Sequence, residues 1–207
     1  MQILITAGGT REYIDTVRFI SNASSGRMGY ALVRAALGAG HKVTLITAPT
    51  AQRHPSGAKI VEVETAAQMF KALKEYFKMC DCLIMAAAVA DYTPARRAKT
   101  KIKKSSKPLT LRLKPTEDIL KWAGKHKRKN QIIVGFALED KAIQHRAQKK
   151  MKEKNLDMII ANNSEAIGAE KTTVQIKTPE GEWLRLPKAT KFIIAEGIIR
   201  NIEGILR

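Results

Sequence analysis

Asp81-Cys-Leu-Ile-Met-Ala-Ala-Ala-Val89 is the stretch on which the fold turns. Past the aspartate it shows no alternation of polar and apolar side chains, so both faces must be covered. That is the pattern of a central strand in a parallel sheet. Gln131–Leu138 has the same character, and so does Gln2–Ala7, which ends in Gly8-Gly9. His41–Ala48, Lys59–Glu64 and Leu156–Ala161 read as further strands. Between them lie segments with helical spacing: Gly26–Leu37 (Met28, Ala31, Leu32 and Ala35 inward), Ala66–Met79 (Met69, Phe70, Leu73, Phe77), Glu117–Gly124 and Lys141–Lys154. Thr173–Thr178 and Trp183–Leu186 flank Pro179-Glu-Gly-Glu182, a hairpin signal, and Ala189–Leu206 closes the chain as a helix. Leu109–Leu113 alternates and is expected to form an edge or flap strand. Strand–helix alternation with right-handed crossovers predicts a doubly wound, mostly parallel, Rossmann-like α/β sheet with a flap and a C-terminal hairpin. A single domain over residues 1–207 is expected.

Ligands in such sheets sit at the carboxyl ends of the strands. Four polar or Gly-rich segments follow strand ends: Gly8–Asn22, Ala87–Lys104, Gly135–Asp140 and Asn162–Ser164. They are expected to converge.

Composition narrows the partners. The chain has 207 residues, 44% hydrophobic and 27% charged, a balance that supports one core. No apolar run approaches the roughly 20 residues of a membrane span, and Met1–Ala7 lacks the basic leader of a signal peptide. A cytosolic protein is expected. Cys80 and Cys82 are too close to pair readily and too few for a zinc site, so reduced thiols are expected and no protein metal ligands are assigned. The net charge of +18 fits either a nucleic-acid surface or a protein that handles small polyanions. Thr93–Lys114 holds nine Lys or Arg and no acid, and Lys121–Lys129 and Arg146–Lys154 form further basic clusters. Aromatic residues are only 5%, and Trp122 is the single one inside these clusters, too few for the repeated interleaving that a stacking platform requires. No helix-turn-helix or zinc-finger signature is present. Small anions are the better fit, with most lysines simply solvating the surface.

Several segments could carry chemistry. Ser24-Ser-Gly-Arg-Met-Gly29 opens the first long helix. Small residues there let N–H groups approach a phosphate, although an N-cap serine with glycines for close packing would look the same. Gly8-Gly9 is a strand-end turn or a second set of donors. Ala86–Asp91 either leaves room for a ligand against its alanines, with Asp91 as a carboxylate acceptor, or packs a tight core. Lys101 lies in a Pro-flanked basic segment at about 93–108 that could close over a triphosphate or be a solvated loop. Lys150 and Lys154 share a helix face. An NAD(P)-dependent oxidoreductase is disfavoured. Its helix-opening glycine motif would follow the first strand directly, whereas about fifteen residues separate Gly8-Gly9 from Gly26 here, and its second strand would end in an acid, where this one ends in Thr47-Ala48-Pro49.

Taken in order, these segments resemble the phosphopantothenoylcysteine synthetase family. The matching residues are Gly8-Gly-Thr-Arg-Glu12, Asp15-Thr-Val-Arg-Phe-Ile-Ser-Asn22, Ser24-Ser-Gly-Arg-Met-Gly29, Ala86-Ala-Ala-Val-Ala-Asp-Tyr92, Lys101-Ile-Lys-Lys104, Gly135-Phe-Ala137, Asn155-Leu-Asp157 and Ala161-Asn162. Each motif is modest; the ordered set covers nearly the whole chain. The sequence differs from the family pattern at Tyr13 and Thr16, where prolines are common, at Arg27 in place of lysine, and at Thr116-Glu-Asp-Ile119 in place of Asn-Pro-Asp-Ile. The domain is often fused behind a flavin-dependent decarboxylase. This chain, whose first strand begins at Met1, is expected to be a stand-alone form.

The resemblance implies a ligase that joins 4′-phosphopantothenate to L-cysteine at the expense of CTP or ATP, with Mg²⁺, in a homodimer, with neither nucleic acid nor membrane as partner. It implies that Asn22 holds the substrate carboxylate and that Arg18 reaches the substrate phosphate in the partner subunit. Ala87, Ala88 and Asp91 are expected at the pantothenate arm or the nucleotide. Ser24, Ser25, Gly26 and Gly29 would cradle phosphates, with Gly8 and Gly9 nearby. Lys101 would close on the triphosphate. Asp118, Ile119, Phe136, Lys150 and Lys154 would bound the nucleotide.

Overall fold

Gln2–Ala7 (β1) is the strand around which the rest is arranged, and it is buried from Ile3 onward. The computed structural model describes residues 1–163 and 168–205. After β1 come a small hairpin, β2 (Arg11–Tyr13) and β3 (Phe19–Ser21), then α1 (Arg27–Gly38), β4 (Lys42–Thr47) and β5 (Lys59–Glu62). Next are α2 (Ala66–Phe77), β6 (Cys82–Met85), β7 (Tyr92–Pro94), β8 (Leu113–Pro115), α3 (Ile119–His126), β9 (Ile132–Leu138), α4 (Ile143–Glu153) and β10 (Met158–Asn162). The chain closes with the hairpin β11 (Lys171–Lys177) and β12 (Leu184–Thr190), followed by α5 (Lys191–Ile205).

The main sheet has the order β12-β11-β10-β9-β6-β1-β4-β5. The six strands from β5 to β10 run parallel, and the C-terminal hairpin adds antiparallel to β10. One apolar cluster joins α1 and α5 to one face, through Tyr30, Leu32, Ile198 and Ile202 among others. A second joins α2, α3 and α4 to the other face through Met69, Leu73, Ala123 and Met151. The expected doubly wound α/β class is therefore observed. Gly29 explains how closely α1 sits on the sheet: a Cβ there would lie 2.5 Å from the Ala7 Cβ.

Several boundaries differ from expectation, each for a local reason. Of Asp81–Val89, only Cys82–Met85 is strand. Its alanines then turn away, and Ala88 bridges Gly9 instead. Small residues on both sides permit this: the Ala88 N–H donates to the Gly8 carbonyl at 2.8 Å and the Thr10 N–H to the Ala88 carbonyl at 3.2 Å. The expected strand at Leu109–Leu113 is not formed. Pairing starts only at Leu113, where Tyr92–Pro94 supplies a partner, and Leu109 has no sheet to pack on and is 57% exposed. The helix expected from Glu117 begins at Ile119, because Asp118 caps it by accepting the Lys121 N–H at 2.9 Å. Ser164 and Leu206, the ends of two expected segments, lie outside the described residues. Cys80 and Cys82 are both free and buried. Among the described residues no helix is long and apolar enough to cross a membrane.

Candidate active-site cleft

β1 and β6 are neighbours, but their chains leave in opposite directions, β1 towards β4 and β6 towards β9. A crevice must open where the carboxyl ends diverge. It holds a cavity of about 940 Å³, within the usual size range of small-molecule sites.

The floor is built from paired hydroxyls and backbone. Thr6 and Thr10 are fully buried. The Thr6 Oγ1 accepts the Ala87 N–H at 3.2 Å, and the Thr10 Oγ1 accepts the Ala90 N–H at 2.9 Å. The Thr116 hydroxyl donates to the Ala90 carbonyl at 2.6 Å. Three threonines thus hold the Ala87–Asp91 loop rigid along the cleft. Asn22 crosses the top of this loop and donates from Nδ2 to the Val89 carbonyl at 3.2 Å.

One wall is the start of α1. Gly26 is its N-cap at φ 72°, a left-handed conformation, and no side chain caps the helix. The serine N-cap considered from sequence is therefore absent. Ser24 Oγ instead accepts the Gly26 N–H at 3.3 Å. An N-terminus without a side-chain cap, facing a cavity lined by Ser24, Ser25, Gly26 and Gly29, suits an anion through its N–H groups and dipole.

The opposite wall carries paired charges. Lys150 Nζ donates to the Phe136 carbonyl at 2.8 Å. Burial holds its ammonium below the usual lysine range; the neighbouring Lys154 adds to this, and Glu139, Asp118 and Asp91 oppose it. Lys154 pairs with Asp118 at 2.9 Å. Burial would raise the Asp118 carboxyl, but the Lys121 N–H and Lys154 outweigh it and hold it below its ordinary value. Ile119 and Phe136 supply apolar surface beside these charges, and Asp91 lines the same cavity.

Not every expected residue lines it. Gly8 and Gly9 lie behind the floor, bonded to Ala88. Arg18 and Lys101 stand outside the cavity lining. Arg18 pairs with Asp15 at 2.6 Å, and Lys101 is exposed on the basic segment. The lining also includes Glu139, Asn162, Arg27 and Lys191. Lys191, the first residue of α5, has its ammonium lowered by burial and by nearby Arg27. It escaped the sequence reading because no local pattern marks a lysine that reaches the cleft from the far end of the chain. Among the described residues no three His, Cys, Asp or Glu side chains cluster to hold a metal. The single carboxylates of Asp91 and Glu139 fit a metal carried mainly by phosphate oxygens.

Fold and cleft together define a doubly wound α/β protein whose switch-point crevice suits an extended anionic ligand. Comparison with known proteins makes the family specific. The chain belongs to the family described as the DNA/pantothenate metabolism flavoprotein C-terminal domain, whose model matches residues 1–206. It is 43% identical over 208 residues to the coenzyme A biosynthesis bifunctional protein CoaBC of Bacillus subtilis, covering 98% of this chain and 51% of that protein. It is 44% identical over 206 residues to a cysteine/cysteine sulfinic acid decarboxylase of an unidentified prokaryote, covering 97% of this chain and 57% of that protein. The chain thus spans about half the length of these curated relatives. Among solved structures, the C-terminal domain of a coenzyme A biosynthesis bifunctional protein CoaBC superposes with a TM-score of 0.87 at 39% identity, covering 99% of this chain and 95% of that one.

Proposed function

We propose that this chain is a phosphopantothenate–cysteine ligase acting through an acyl-nucleotide intermediate. The observation that carries the reading is the convergence of separate motifs on one cleft. Asn22, the Ser24–Gly29 turn, the Ala87–Asp91 loop, Phe136, Lys150 and Lys154 are far apart in sequence and line one cavity. The similarity to the C-terminal domain of a CoaBC protein over nearly the full length of both chains supports it.

A carboxylate resists attack by an amine at neutral pH, so its oxygen must first become a good leaving group. The cleft divides that work. The α1 N-terminus and Ser24–Gly29 receive the triphosphate, while Lys150, Lys154, Phe136 and Ile119 bound the nucleoside. The alanine loop takes the pantothenate arm, with Asp91 at its end as acceptor. Asn22 presents an amide donor to the substrate carboxylate, which attacks the α-phosphorus and expels pyrophosphate. The cysteine amine then attacks the acyl carbon and releases the nucleoside monophosphate. Lys101 closes from the flap, and Arg18 acts on the phosphate of substrate bound in the partner of a homodimer. Asp91 and Glu139 are the carboxylates that would hold a Mg²⁺ brought with the triphosphate, and such an ion would neutralise phosphate charge. Residues 1–207 form one synthetase unit in the cytosol on this reading.

The test is pyrophosphate release with CTP and with ATP, each with and without phosphopantothenate. Release that requires phosphopantothenate, followed by cysteine-dependent monophosphate formation, is expected. Heparin or DNA retention lost at moderate salt, with no pyrophosphate release, would replace this reading with nucleic-acid binding.

A further inference from the structure

The basic flap is tied to the loop that carries Arg18, by the Arg97 guanidinium over the Tyr13 ring at 4.7 Å and by hydrogen bonds with one buried acid at their centre. The Ala98 N–H donates to the Ile14 carbonyl at 2.9 Å. The Ile102 N–H donates to Asp15 Oδ2 at 3.1 Å. Arg18 Nη2 donates to the Ile102 carbonyl at 2.6 Å. Asp15 is fully buried. Its Oδ1 accepts the N–H groups of Val17 and Arg18, both at 2.8 Å. Its Oδ2 also accepts Nε and Nη2 of Arg18 at 3.0 and 2.6 Å. The Val17 N–H holds the Asp15 carboxyl well below the usual carboxylate range; burial opposes this, and the N–H groups of Arg18 and Ile102 and the guanidinium support it. The carboxylate is thus ionised, buried and satisfied by donors from two separate segments.

We propose that Asp15 is a positioning residue that latches the flap to Arg18, so that one carboxylate sets both the place of Lys101 and the aim of the Arg18 guanidinium. The proposal rests on the ligase reading for what Lys101 and Arg18 bind. Lys101 immediately precedes the latched residue, whereas among the described residues no hydrogen bond joins positions 103–111 to the body of the protein. The latch therefore anchors the backbone beside Lys101 and leaves its exposed side chain to swing towards the triphosphate, an anchor that Lys103 and Lys104 lack. The inner edge of the guanidinium is occupied by Asp15 and the flap. Its Nη1 makes no hydrogen bond among the described residues and is left for an anion. A planar, rigid cation holding an anion on one edge and the flap on the other couples the two events.

Asp15→Asn tests this. The amide keeps the size and one acceptor oxygen, but cannot accept from both the Ile102 N–H and the guanidinium at Oδ2. Hydrogen exchange over residues 98–104, measured without ligands, is expected to rise about 10-fold, the effect of one charge-assisted hydrogen bond. The KM for phosphopantothenate should rise and the single-turnover nucleotide step should slow, each roughly 10-fold. Ile102→Pro removes the N–H donor, in a segment without regular structure, and leaves the Asp15–Arg18 pair in place; because proline also restricts the backbone of Lys101, Ile102→Ala serves as the control that keeps the donor and should leave exchange and the nucleotide step at wild-type values. Ile102→Pro should loosen the flap and slow the nucleotide step with the phosphopantothenate KM unchanged. Wild-type exchange in folded Asp15→Asn, or a wild-type nucleotide step in Ile102→Pro, overturns the latch. If the wild-type chain releases no pyrophosphate with either nucleotide, the ligase reading fails, and the exchange data alone decide the latch.

Discussion

Asn22 and Lys101 illustrate how a side chain's role depends on what surrounds it. The Asn22 amide is steadied by the Val89 carbonyl at the edge of the cleft, and the proposed ligase mechanism has it donate to the substrate carboxylate. Asn22→Asp places an anion there and is expected to cut product formation about 10²- to 10³-fold, the scale for losing one preorganised donor. Circular dichroism should stay at wild-type values, since Asn22 is exposed, and the melting temperature should fall only slightly, by the loss of the bond to the Val89 carbonyl. Near-normal turnover by the folded variant would remove Asn22 from the mechanism. Lys101 is exposed and carries its charge on the flap. Lys101→Gln should lower turnover by about 2–4 kcal/mol of transition-state stabilisation, roughly 30- to 1000-fold, with little change in phosphopantothenate binding. Lys103→Gln and Lys104→Gln should be milder, and equal effects from all three would reduce the flap to a diffuse positive field.

Elements decide whether those side chains meet. α1 must lie tightly on β1 for its N-terminus to face the crevice, and Gly29 makes that possible. Gly29→Ala would drive a Cβ to 2.5 Å from that of Ala7 and is expected to cost about 1–3 kcal/mol from overpacking. That corresponds to a drop of several degrees in melting temperature for a chain of this size. An unchanged melting temperature would mean that α1 shifts without cost. The β2–β3 hairpin raises a separate question, because it carries Arg18 just before β3 and away from the cavity lining. In a homodimer with composite sites, inactive Arg18→Ala chains mixed with inactive Asn22→Asp chains regain activity. Random 1:1 exchange between C2 dimers should restore about a quarter of the wild-type rate. Sedimentation equilibrium must show a dimer, and verified heterodimers without activity would place Arg18 in its own subunit's chemistry or in none.

At the scale of the whole molecule, the core contains two thiols that titrate abnormally. Burial pushes Cys80 up from 9.0 to about 11, with Gln131 and Arg128 opposing, and burial pushes the enclosed Cys82 well above 9.0. The folded chain therefore keeps protons that the unfolded chain has lost. Stability from each thiol is full below pH 9 and declines as pH rises from about 9 towards the folded value, by about 1.4 kcal/mol per pH unit per group. Denaturant midpoints between pH 8 and 10.5 should fall more steeply for the wild type than for a Cys80→Ala/Cys82→Ala variant; parallel slopes would refute the shifts. Cys82 opens β6 and Cys80 precedes it; the apolar run from Asp81 identifies that strand without help from any other part of the chain. A strand covered on both faces leaves no polar alternation, so its central place, the parallel sheet and the crevice at its end can be read from local composition. Of the motif residues that line the cleft, local composition marked the Ser24–Gly29 and Ala86–Asp91 segments, where small residues let backbone approach backbone; Asn22, Phe136, Lys150 and Lys154 carry no such local signal and were expected only from the family resemblance. What could not be read locally were contacts between distant segments. Asp15 meets Ile102, Lys191 reaches the cleft beside Arg27, Asp118 is claimed by Lys154, and the strand expected at Leu109 yields to pairing at Leu113. The sequence determined the periodicity, hence the elements and the class of sheet, because burial pattern is set by each residue's own side chain. Only the tertiary structure decided which side chains share the cleft and which acid anchors the flap, because those contacts depend on loop paths that no local pattern encodes.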